Sequence, residues 1–158
     1  MRHSLEVGFG FGLTSGIITT LGLMIGLNSS TNSKLAVLGG ILTIALADAF
    51  SDALGIHVSE ESENVHTTRE IWESTLSTFF FKFIIASSFI VPVLILKLST
   101  AIMVSIIYGL ILLCVLSYRI AKDQDTKSWR VIGEHLSITF VVIIAAQYIG
   151  EWISLTFT

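Results

Sequence analysis

Asp48 and Asp52 are the only charged residues in LAVLGGILTIALADAFSDALGI, residues 35–56. Four residues is about one helical turn, so both carboxylates share a helix face. A carboxylate inside a bilayer costs roughly 2.5 kcal/mol or more unless water, an ion or a partner satisfies it. Two of them in low dielectric repel each other and invite a cation, a proton, or both. Carboxylate oxygens suit hard and borderline divalent cations. Ser51 lies beside the pair, and Thr14 and Ser15 supply hydroxyls from an earlier apolar stretch. His57 follows five residues after Asp52, as a ligand or proton relay extending the site or as a headgroup-level residue without that role.

A second cluster lies in HVSEESENVHTTREIWE, residues 57–73. If that segment is helical, Glu63, His66, Glu70 and Glu73 follow a 3-4-3 spacing and form one stripe, with Glu60 just before it. Carboxylates with an imidazole are competent ligands for iron, manganese, cobalt or zinc. The alternative is a solvated acidic helix face. Even without tight binding, an acidic patch at a membrane mouth concentrates cations. Further along, Gln147 and Glu151 lie four apart, with Glu151 read as interfacial.

These groups need elements to hold them. Of the 158 residues, 53% are hydrophobic and 13% charged, there is a single proline, and mean hydropathy is +0.81. That composition excludes an ordinary soluble domain and points to an all-α integral membrane protein. Five spans are expected, at 5–27, 35–56, 76–96, 101–118 and 131–155, forming a single transmembrane domain. Residues 57–74 form a short acidic segment between the second and third. With the N-terminus inside, Arg2, Arg69, Lys82, Arg119, Lys122, Lys127 and Arg130 lie on the inner side, against Lys34 and Lys97 outside. The bias predicts an N-in, C-out topology with 57–74 cytoplasmic. By helix rise, Asp48 then lies roughly 12 Å and Asp52 roughly 6 Å from the inner end of span two. Lys82 is expected near the inner end of span three, leaving no basic group deep in any span to satisfy the aspartates.

Gly8, Gly12, Gly16, Gly22 and Gly26 clear the first span for close approach of another helix. Internal packing and a subunit interface are both open readings. Pro92 is expected to kink the third span. Trp72, Trp129 and Trp152 read as interfacial anchors. The single cysteine, Cys114, excludes an internal disulfide. No cleavable signal peptide is expected after Arg2 and His3. Neither a nucleic-acid-binding patch nor a P-loop is present, so ATP-driven pumping by this chain alone is not expected.

Three segments resemble the vacuolar iron transporter family, which also includes manganese transporters. FGLTSGIITTLGLMIGL (11–27) is similar to that family's glycine-rich first helix. ALADAFSDALGIHVSEESE (45–63) is similar to its small-residue second helix and the acidic segment after it. GEHLSITFVVIIAAQYIG (133–150) is similar to its closing helix, and Pro92 falls where the family has a third-helix proline. The resemblance implies a homodimeric bundle moving Fe²⁺ or Mn²⁺ out of the cytosol in exchange for protons. It implies a path between subunits lined by the first two helices. The chain departs from the pattern at four places. Ser15 replaces an Asp, Asp52 replaces a Met, Asp48 replaces a Gly, and Ile56-His57 replaces Glu-Tyr.

The sequence therefore predicts a transporter rather than an enzyme, with divalent metal as cargo and no resident cofactor. Its partners are lipid, metal ions, protons and a second copy, not nucleic acid, and its expected location is a prokaryotic cell membrane with a cytoplasmic N-terminus. Another solute, or a non-transporting membrane scaffold or regulatory subunit, remains the alternative. A membrane-embedded enzyme, with Asp48, Asp52 and His57 holding a catalytic metal, is the weakest reading.

Overall fold

A computed structural model describes residues 3–124 and 126–157; Arg2, part of the charge bias above, lies outside them. Among the described residues all regular structure is helical, and five continuous helical stretches are long and apolar enough to cross a membrane. The first is α1 (His3–Thr31). The second, Lys34–Glu63, comprises α2 (Lys34–Thr43), a π-helical turn (Ile44–Asp48) and α3 (Ala49–Glu63). The third comprises α4 (Thr68–Ser88) and α5 (Ile90–Ile95). The last two are α6 (Leu98–Asp123) and α7 (Ser128–Phe157).

Short connections make successive spans antiparallel. Asn32 and Asn64 take the left-handed conformation at the ends of α1 and α3, where a small polar side chain tolerates positive φ. Ser33 caps α2, its hydroxyl accepting from the Ala36 N–H at 3.2 Å. Thr67 and Glu70 form a reciprocal capping box that starts α4 at Thr68. Pro92 cannot donate to the Ser88 carbonyl, and the third span is interrupted at Phe89, between α4 and α5. Lys34 Nζ donates to the Leu94 and Leu96 carbonyls at 3.1 Å each, satisfying the frayed end of that span.

Helix α1 lies against α4 on one side and α7 on another. Its glycines make this possible. A Cβ on Gly12 would come 2.7 Å from the Thr78 carbonyl oxygen, and one on Gly8 would meet the backbone around Ser74 and Thr78. Gly22 and Gly26 face Val142 and Ala146 of α7. Of the two readings left open for the glycine face, the structure shows internal packing.

The bundle interior changes character along its length. Toward the 32–33 turn it is apolar: Ile17, Leu21, Met24, Ile25, Val37, Ile41, Phe89 and Val93 form one buried cluster. Toward the 64–67 turn the buried groups are polar, with Ser4, Glu60, Ser74, Thr75, Ser77 and Thr78. The two halves meet at the aspartate pair.

Candidate functional site

The second span carries Asp48 at its midpoint, at the end of the π turn. A π turn inserts an extra residue and shifts the helix register, and such turns are frequent at functional sites. Asp52 follows one turn later in α3. Both carboxylates reach toward α4, where a lysine waits for them.

Lys82 is fully buried, and its Nζ lies 2.5 Å from Oδ2 of Asp48 and 2.5 Å from Oδ2 of Asp52. This corrects the expected position of Lys82 near the inner end of its span. The capping box begins the helix at Thr68, eight residues before the expected start, and Lys82 falls at mid-helix. Its stem lies along α1, where a Cβ on Gly16 would meet Lys82 Cγ at 3.4 Å. The two contacts differ in quality. Nζ donates a hydrogen bond to Asp52. Asp48 Oδ2 makes no aligned hydrogen bond, so its tie to Lys82 is one of charge and distance alone.

Ser15 completes the cluster from α1. Its hydroxyl donates to Asp52 Oδ2 at 2.6 Å and accepts from Lys82 Nζ at 3.0 Å. Thr14 is half-buried and makes no hydrogen bond to this cluster among the described residues. Ser51 lines an open recess of about 410 Å³ with Asp48, Thr19, Thr43, Ile44 and Ala47. The Asp48 side chain is 36% exposed toward the surface and that of Asp52 20%. Two carboxylates against one ammonium leave a negative charge uncompensated by any described basic group at the site.

The face of α3 continues its polar contacts with α4. Thr75 Oγ1 donates to the Ile71 carbonyl at 2.6 Å, which uses its only proton. The His57 Nδ1 at 3.0 Å must then be the donor to that hydroxyl. This assigns a proton to Nδ1. The ring also packs edge-on against Trp72. Glu60, buried, accepts a short hydrogen bond from Ser74. His57 and Glu60 thus form steps of a polar seam from the aspartates toward the 64–67 turn.

The acidic stripe does not form. Helix α3 ends at Glu63, and α4 begins at Thr68, so Glu63 and His66 are separated from Glu70 and Glu73 by the turn. Glu63 pairs with His66 at 3.4 Å. Glu70 is committed to the Thr67 cap, accepting from its N–H at 2.8 Å. Glu73 accepts from Arg69 at 2.8 Å and from Ser4 at 3.1 Å. Among the described residues, no three His, Cys, Asp or Glu side chains converge in a metal-binding arrangement.

Lys82 is the residue that sequence reasoning misplaced, and the signals were present. It is the lone charge in TLSTFFFKFIIASSF. A lone intramembrane base calls for the lone intramembrane acids.

Residues 9–73, which carry α1, the aspartates and the seam on α3, match the model of the VIT family. No curated protein and no solved structure matches the chain. The VIT family comprises transporters rather than enzymes, and the apolar helices make the chain an integral membrane protein. The match spans less than half of the chain and makes its aspartate-bearing helices similar to those of the VIT family.

Proposed function

We propose that the chain transports divalent transition-metal cations of the Fe²⁺/Mn²⁺ class, exporting them from the cytosol in exchange for protons. The observation that carries this reading is the Asp48–Asp52 pair at mid-helix. It lies within the family match and opens on a recess bearing Ser51, Thr19 and Thr43. Asp48 and Asp52 are the proposed ligands for the desolvating ion, with Ser15 and Ser51 beside them. His57 and Glu60 are the proposed way in, since the interior is polar on their side of the site and apolar on the other. In the N-in topology, that polar half faces the cytosol, where Glu61 and Glu63 concentrate cations. Protons taken up by the carboxylates would release the ion on the far side.

A homodimer is part of the proposal. The exposed stripe Leu42, Leu46, Phe50 and Leu54 runs beside Asp48. A second copy over this face would shield a carboxylate that lipid would penalise. The α1 glycines are engaged within the chain, so the proposed interface is the face of α2 and α3.

A second reading follows from Lys82: the aspartates are a structural ion pair, and the chain is a scaffold or regulatory subunit. Radioactive Mn²⁺ uptake into proteoliposomes separates the two. Uptake above empty liposomes, lost in Asp52→Asn, supports transport; none from folded protein favours the scaffold.

A further inference from the structure

Lys82 occupies the position a divalent cation would take. An ion bridging Asp48 Oδ2 and Asp52 Oδ2 would sit roughly 2.0–2.6 Å from each oxygen. Lys82 Nζ lies 2.5 Å from both. The ammonium and a bridging ion therefore exclude each other by volume as well as by charge. We infer that Lys82 is a tethered counter-cation that competes with the divalent cargo for the two carboxylates. This inference rests on the proposed cation site and specifies how that site is kept from binding too tightly.

Three observations make the ammonium displaceable. It is outnumbered, since two carboxylates share it. It holds Asp48 without an aligned hydrogen bond, and Asp48 is the carboxylate that lines the open recess. An ion entering there meets the weaker contact first. Lysine also suits the role: a compact point charge on four methylenes can withdraw without breaking a bidentate fork. Ser15, 3.0 Å from Nζ, offers an oxygen that the ammonium can keep as it leaves Asp48 and Asp52.

A competitor inside the site lowers apparent affinity by the fraction of time the carboxylates are unoccupied. Its removal must therefore tighten binding. The test is calorimetric titration of Mn²⁺ into the purified full chain in detergent. Lys82→Met is expected to lower the Kd about tenfold or more, whereas Lys82→Arg, which keeps the charge, is expected not to tighten it. Should Lys82→Met fail to fold, Lys82→Gln, which removes the charge and keeps a polar tip, is compared with the wild type, where the same tightening is expected. Binding by the wild type with an unchanged or weaker Kd on loss of Lys82 overturns the inference and leaves the cation site standing. Absence of Mn²⁺ binding in the folded wild type and in every variant overturns both.

Discussion

Lys82 Nζ and Asp52 Oδ2 are joined by a direct hydrogen bond of 2.5 Å between the third and second spans. Ser15 of the first span touches both atoms. Three helices thus meet at one charged point in an otherwise apolar middle. Burial of an ion pair is weak evidence for stability, because desolvation offsets the Coulomb attraction. Two of the three residues at this point, Ser15 and Asp52, lie in the segment that matches the VIT family, and Lys82 lies beyond it.

The pair should show strong energetic coupling. Asp52→Asn or Lys82→Met alone is expected to destabilise the fold by up to about 3 kcal/mol, because each leaves its partner uncompensated in the interior. The double variant is expected to be less destabilised than the sum of the two. Thermal unfolding in detergent across the four proteins gives the coupling; additive losses would show that the contact carries no energy.

The glycines of α1 divide into two kinds. Gly12→Ala is expected to destabilise by roughly 1–3 kcal/mol, since the new methyl meets the Thr78 carbonyl and the Lys82 backbone. Gly10→Ala has nothing within 4 Å and is expected to be neutral or to stabilise by up to about 1 kcal/mol. Equal melting temperatures for the two variants would contradict the packing of α1 on α4.

Much of the architecture was legible in the sequence. Five apolar runs separated by polar turns announce five helices, because a chain in lipid must satisfy its own backbone. Helix ends were less legible. Hydropathy falls away at Glu73 and Ser74, yet α4 continues to Thr68 because Thr67 and Glu70 cap it. That difference moved Lys82 from the edge to the middle. The stripe through Glu63, His66, Glu70 and Glu73 failed for a related reason: periodicity assumed a continuous helix where Asn64 turns the chain. The π turn ending at Asp48 had no signal in composition, since its residues IALAD suit an α-helix equally well.

The Thr67 cap provides a control distant from the site. Thr67→Ala removes an exposed cap and is expected to cost about 1 kcal/mol with Mn²⁺ transport unchanged. Thermal melts and uptake rates on the same preparation test this. Lost transport with an unaltered melting temperature would instead give the 64–67 turn a direct part in cation capture.

Ser15 tests the shape of the site rather than its charge. Ser15→Ala removes one hydrogen bond from Asp52 and one from Lys82, each with a charged partner and worth roughly 1.5–3 kcal/mol. Mn²⁺ uptake at low concentration is expected to fall about tenfold or more, as a loss of 1.4 kcal/mol in binding implies. Unchanged uptake would place Ser15 outside the path.

The most direct measurement is flux of Fe²⁺, Mn²⁺, Co²⁺ and Zn²⁺ into proteoliposomes, with and without a pH gradient, for wild type, Asp48→Asn and Asp52→Asn. The account predicts gradient-dependent flux of at least one of these metals that disappears in both variants while their melting profiles still show folded protein. Unaltered flux in both variants, or no flux for any metal from folded wild type, would contradict it.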